Sequence, residues 1–270
     1  MTASKRIALS EAAALVRDGD TLALGGMTLY RRPTAFVRAL LKRHRAAGAP
    51  SNLTLLGLTG GFEGDLLVGA GLVSRVRTCY FGLEIFGLAP MFTYRANRDE
   101  LEIIEETEAS LAFGLRAQLA GVGFMPARAW LGTDLPALRP DVKTVLDPYS
   151  GEELMAFPAI RPDVTVVHAL QADEEGNAVL GGNRAMDEEL ALAAGTVIVT
   201  AEEICPALEK ADLAAPLVDY VVHAPRGAAP ASCYPRYPLD GVTLLRYTEQ
   251  AASPEGFAAF LEGWMVDDGR

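Results

Sequence analysis

One pattern constrains this chain more than any other. Short, continuously apolar runs alternate with helix-like segments, and glycine pairs follow several of the runs. TLAL leads into Gly25-Gly26, and NLTLLGL leads into Gly60-Gly61. RVRTCYFG, RAWLGTD, DVTVVHAL, GTVIVTAE and DYVVHAP read as further strands. Runs that are apolar at every position are buried on both faces, which is the signature of a parallel sheet covered by helices. The segments between them fit that role. Ser10 predicts an N-cap for a helix closed by Gly19, and Pro33 opens TAFVRALLKRHRAAG, which stops at Gly48. AMDEELALAAG and PEGFAAFLEGW are later helices. The chain is therefore expected to form one α/β domain over residues 1–270: an open, mostly parallel sheet flanked by helices. In such sheets the ligand crevice lies beyond the carboxyl ends of the strands. The loops at Gly25-Gly26, Gly60-Gly61 and Gly181-Gly182 are placed there.

Charge narrows the partners. A formal net charge of −11 repels phosphate backbones and anionic lipid, so nucleic acid and membrane surfaces are excluded as expected partners. Cys79, Cys205 and Cys233 stand far apart, with no CxxC pair and no Cys/His cluster, so no metal site is expected. Free thiols, the lack of a signal-like apolar run at the N-terminus and the lack of a membrane-length stretch predict a cytoplasmic protein. GAGLVS (Gly69 to Ser74) imitates part of a dinucleotide fingerprint but lacks its third glycine, and no bound cofactor is expected.

The candidate chemistry comes from three places. Gly25-Gly26 is either an amide-lined anion site or an ordinary tight turn. Arg31-Arg32-Pro33 follows at the mouth of a strand-to-helix turn, where a guanidinium can hold a carboxylate or phosphate, or else form a solvated basic pair. The third is EIIEETEASLAFGL, from Glu102 to Leu115, with Glu102, Glu105, Glu106 and Glu108 at its start. Read as a helix, it places Glu105 and Glu108 on the face of Leu111, Ala112 and Leu115. A carboxylate there is a base or nucleophile if partly buried, or a stabiliser of the helix N-terminus if solvated. His168 and His223 lie in apolar strands and read as core histidines. The long proline-rich stretch Ala224 to Asp240 reads as a functional or interfacial loop.

Several segments, in order and over nearly the whole chain, resemble the α subunit of family I coenzyme A transferases of the glutaconate type. They are SEAAALVRDGDTLALGG, RRPTAFVRALL, SRVRTCYFGLEIFGLAPMF, EETEASLAFGLRAQLAGVGFMPAR, DEEGNAVLGG and VVHAPRGAAPASCYPRYPLD. The resemblance implies a NagB/RpiA/CoA transferase-like fold and a β-subunit partner, in an α2β2 or larger assembly. It implies a CoA thioester as substrate and transfer of CoA to a free carboxylate. In that reaction a glutamate attacks the thioester to give an acyl-glutamyl anhydride. The released CoA thiolate returns to form a glutamyl thioester, which the second acid displaces. The nucleophile of this family lies in a Glu-x-Gly motif of the β subunit, often written Ser-Glu-Asn-Gly, and this chain has no Ser-Glu-Asn-Gly. Its implied role is one wall of the substrate pocket, built by Gly25, Gly26 and Arg32 with Phe81, Gly82 and Glu84. One hydrolytic branch of the family is similar but uses a glutamate of its α chain, and Glu108 aligns with it. The segments YFGLEIFGLAP and ASCYPRYPLD look more like the transferase branch. The alternatives are thus a ring-opening or thioester hydrolase using Glu108, and a non-catalytic relative that binds an acyl-CoA or sugar phosphate.

Overall fold

The computed structural model describes residues 4–266. Seven parallel strands form its central sheet. In chain order they are β1 (Thr21–Leu24), β2 (Leu53–Leu56), β3 (Val73–Thr78) and β4 (Glu102–Glu105), then β8 (Val164–Ala169), β9 (Thr196–Ala201) and β10 (Tyr220–His223). Between β4 and β8 lie β5 (Phe124–Ala127), β6 (Lys143–Leu146) and β7 (Glu153–Pro158), which form a separate antiparallel sheet in the order β5-β7-β6. The spatial order of the central sheet is β10-β9-β8-β1-β2-β3-β4. The chain starts at the centre with β1, builds outward to β4, and then returns to lay β8 on the other side of β1. Leu22, Ala23 and Leu24 pair with Val164, Thr165 and Val166 there. That reversal opens a crevice above β1 and β8, at their carboxyl ends.

Burial follows position in the sheet. Every residue of β8 is buried, Thr165 and His168 among them, as its mostly apolar run predicts. The edge strand β4 is the opposite: Glu102 and Glu105 face solvent, and their charges blunt an edge that could otherwise pair with another chain. Besides a single helical turn at Leu135–Leu138, the helices are α1 (Leu9–Ala14), α2 (Thr34–Ala47), α3 (Phe62–Gly69), α4 (Pro90–Ala96), α5 (Glu108–Leu119), α6 (Asp187–Ala193), α7 (Gly241–Gln250) and α8 (Pro254–Val266). On one face, Phe62 of α3 meets the edges of Tyr247, Phe260 and Trp264 from α7 and α8, with ring centroids 4.9, 6.1 and 5.7 Å away. Among the described residues no helix is long and apolar enough to cross a membrane.

Several boundaries differ from the sequence reading. α1 begins at Leu9, because Glu11 reaches back to the Ala8 N–H at 2.7 Å and Ser10 is not the cap. α2 ends as expected, with Gly48 left-handed at φ 69°. RAWLGTD is not a strand: the strand lies earlier, at Phe124–Ala127, and Trp130 folds into a turn. That turn buries Trp130 with Val142, Met155 and Phe157 in the small core under the antiparallel sheet. The glutamate stretch also divides. Ile103 and Ile104 pair with Val76 and Arg77 as β4, and the helix starts only at Glu108. A β-branched pair beside an open sheet edge outweighs helix propensity at that point.

Candidate functional site

The loop after β1 is built on two buried ion pairs. Gly25 donates its N–H to Val166 O at 2.9 Å, and Gly26 donates to Asp187 Oδ1 at 2.7 Å. Gly26 has φ +84°, and a Cβ on Gly25 would sit 2.6 Å from the Asp187 carboxylate, so both positions require glycine. Arg31 donates to Asp187 Oδ2 at 2.8 Å and to the carbonyls of His168 and Asn183, each at 2.7 Å. Arg32 turns the other way. Its Nε and Nη2 bond Glu63 Oε1 at 2.8 and 2.5 Å, and its Nη1 bonds Gly26 O at 3.0 Å. Arg31 and Arg32 are 0% and 1% exposed.

This geometry corrects two expectations. The arginine pair is not a solvated mouth that grips a substrate anion; both guanidiniums are already engaged with carboxylates of the chain. The amides of the glycine turn are also committed: Met27 N–H goes to Tyr30 O at 2.9 Å and Thr28 N–H to Thr59 Oγ1 at 2.8 Å. Gly25, Gly26 and Arg32 therefore shape the crevice floor rather than present donors to it. The acids that hold them, Glu63 and Asp187, went unmarked in the sequence. Asp187 lies in AMDEELALAAG, which the sequence marks only as a helix, and nothing in its neighbourhood signals a cation 156 residues away.

The loops after β2 and β3 lie against this floor. Thr59 and Gly60 pair with Tyr80 and Phe81, and Gly82 N–H bonds Gly60 O at 3.2 Å. Phe81 stacks on Phe92 with centroids 4.3 Å apart. Phe81, Arg32 and Gly60 all border one small internal void, and hydrogen bonds tie Gly82 to Gly60 and Arg32 to Gly26. Glu84 stands apart, exposed at the start of a short 3-10 turn, Glu84–Phe86.

Beyond the end of the edge strand β4 the glutamates separate by environment. Glu106 is buried and accepts from Arg77 Nε at 2.8 Å, from Arg139 Nη1 at 2.9 Å and from the Ser110 hydroxyl. Glu108 is the first residue of α5 and is exposed. Thr107 caps the helix by accepting the Ser110 N–H at 3.1 Å, and it also accepts the Trp130 indole N–H at 3.0 Å. The Glu108 carboxylate lies near Cys79, at the end of β3. Burial first, and then the charge of Glu108, push that thiol up to about 11. Cys79 is thus a neutral thiol that donates to Leu58 O at 2.8 Å.

A second buried cluster sits at the ends of β8 and β9. His168 is fully buried, as the sequence reading expects of a core histidine. Burial lowers its pKa, against the opposing pull of Glu202. The neutral ring faces Thr200 Oγ1 from Nδ1 at 2.9 Å and Glu202 Oε1 from Nε2 at 2.8 Å. Burial pushes Glu202 up, but hydrogen bonds from His168 and Tyr237 hold it below the usual carboxylate range. Glu202 also accepts the N–H groups of Arg226 and Gly227 at 2.7 and 3.0 Å, tying down the 224–240 loop. His168, Glu202 and Cys233 are the one group among the described residues whose potential metal-binding atoms converge, all within 4.8 Å. The donors and acceptors of His168 and Glu202 are already spent on each other and on the loop.

A profile for coenzyme A transferases matches residues 6–224. The A-type chain of 3-oxoadipate CoA-transferase from Pseudomonas knackmussii is 33% identical over 262 residues, spanning 93% of this chain and 89% of the relative. The IpdA subunit of a cholesterol ring-cleaving hydrolase from Mycobacterium tuberculosis is 31% identical over 280 residues, spanning 97% and 93%. Among solved structures, glutaconate coenzyme A-transferase from Acidaminococcus fermentans superposes with a TM-score of 0.89 at 30% identity, covering 98% of this chain and 89% of that one.

Proposed function

The chain belongs to the coenzyme A transferase family, and on that premise we propose that it is the α subunit of a heteromeric enzyme that moves CoA from an acyl-CoA to a free carboxylic acid. The observation that carries this reading is likeness over almost the whole length to two transferases, in sequence and in fold. The partner is a β subunit in an α2β2 assembly, which works in a reducing cytoplasm and supplies the nucleophilic glutamate. This chain contributes the wall made by Phe81 and Gly82 on the floor held by Gly25, Gly26 and Arg32, with Glu84 standing apart from it. A rigid wall of this kind lowers the barrier by fixing the thioester carbonyl in line with the attacking carboxylate.

A second reading is hydrolysis with Glu108 as base or nucleophile. The exposure of Glu108 at the carboxyl end of the sheet and the likeness to the hydrolase chain favour it. The test is to purify the chain with its partner and assay CoA transfer to an added acid against CoA release to water. Transfer that requires both the partner and the acid supports the first reading; acid-independent release supports the second.

A further inference from the structure

A separate cleft opens where the chain reverses, above β1 and β8. Tyr30, Leu170, Gly182, Asn183, Tyr234 and Pro235 line its volume of about 430 Å³. That size lies within the usual range of small-ligand pockets, roughly 300–1,000 Å³. It abuts the glycine floor directly, because Tyr30 closes the turn that starts at Gly26, through the Met27 and Tyr30 backbone pair. Its walls are fixed. Tyr30 OH donates to Tyr234 O at 3.2 Å, joining two walls, and Arg31 Nη2 holds the Asn183 carbonyl at 2.7 Å.

The lining is mostly apolar and aromatic, and its polar groups, the Asn183 amide and the tyrosine hydroxyls, carry no charge. The arginines next in sequence to Asn183 and Pro235 are already matched. Arg184 pairs with Glu188 at 2.6 Å and with Asp212 at 3.1 Å, and Arg236 pairs with Glu203. A second carboxylate entering this cleft would lose water without gaining a cation.

Resting on the transferase reading, we infer that this cleft holds the acyl tail of the substrate and selects an uncharged, apolar tail over one ending in a carboxylate. Gly182 sets its depth. Its backbone is not left-handed, and a Cβ there meets nothing within 4 Å, so a larger side chain fits without strain and takes up cleft volume.

The test uses the complex with its partner, a series of straight-chain acyl-CoAs of increasing length, and one dicarboxylic acyl-CoA matched in length. The wild type prefers the uncharged tail by about ten-fold or more in kcat/KM, and Gly182→Leu loses about ten-fold on the longer tails while the shortest stays within about two-fold. Tyr234→Ala, which widens the cleft, moves the preference toward longer tails. Several results overturn the inference: a uniform loss across lengths in Gly182→Leu, a wild-type preference for the dicarboxylic thioester, or loss of the partner from Gly182→Leu on gel filtration, which assigns the cleft to the subunit interface. A wild-type complex that processes no acyl-CoA overturns the transferase reading and the cleft together. Activity with an unchanged length profile overturns the cleft alone.

Discussion

Two regions at the carboxyl end of the sheet carry similar residue types in opposite environments. In the centre, Arg31–Asp187 and Arg32–Glu63 form ion pairs whose side chains are at most 2% exposed. At the β4 edge, Glu108 stands in solvent beside a buried partner network around Glu106. The difference teaches what a charged residue in a crevice is for. A buried charge paired inside the chain holds backbone in place, and its loss is a folding defect. An exposed carboxylate at a helix start costs the fold little and is available to a ligand.

Truncation of the central knot breaks that comparison hardest. Asp187→Ala leaves Arg31 buried without a counter-charge and is expected to cost about 3–5 kcal/mol, read as a fall in the urea midpoint of the chain. Arg32→Ala is expected to behave the same way, leaving Glu63 stranded. A stable Arg32→Ala protein with only a raised KM would restore the substrate-gripping role that the structure removes. Next in size is Thr107→Ala, which removes a helix cap and the acceptor of the Trp130 indole. About 1 kcal/mol is expected from the cap, measured by thermal unfolding. A loss indistinguishable from zero would mean that the start of α5, and so the position of Glu108, is set elsewhere.

A smaller effect tests the His168 cluster through pH. Its folded-state pKa lies below the ordinary value of 6.5. As pH falls through that value, the unfolded chain takes up a proton that the native chain refuses, so stability drops on the acid side. The urea midpoint of wild type should therefore fall more between pH 7.5 and pH 5.5 than that of His168→Asn. Equal falls would show that folding leaves the histidine's pKa unchanged, and a smaller fall in wild type would show that it is charged in the fold. Smallest of all is the stability change in Glu108→Gln, expected within about 0.5 kcal/mol because the group is solvated.

The sheet was legible because its central strands are short and mostly apolar, as in Val164–Ala169 where only Thr165 and His168 are polar, and because Gly48 ends α2 where a left-handed residue is needed. The antiparallel sheet was not. Its strands carry mixed exposure, Pro126 lies within one of them, and their pairing joins residues as distant in sequence as Phe124 and Pro158. The divided fate of EIIEETEASL was hidden for a related reason. Whether Ile103-Ile104 extends as strand or coils as helix is decided by the free edge of β3, which no local pattern records. The same limit applied at the site. Gly25-Gly26 was visible as a turn, but its lock, Asp187, lies far along the chain, and only the fold brings the two together.

The central claim is that this chain builds the pocket while the partner supplies the covalent chemistry. Its most direct test is CoA exchange between an acyl-CoA and an isotope-labelled acid, measured for the chain alone, for the complex, and for the complex carrying Glu108→Gln. The account predicts no exchange by the chain alone, exchange by the complex, and a Glu108→Gln rate within about five-fold of wild type, far short of the loss expected on removing a nucleophile. Acid-independent CoA release by the complex, abolished by Glu108→Gln, would contradict it and move the chemistry onto this chain.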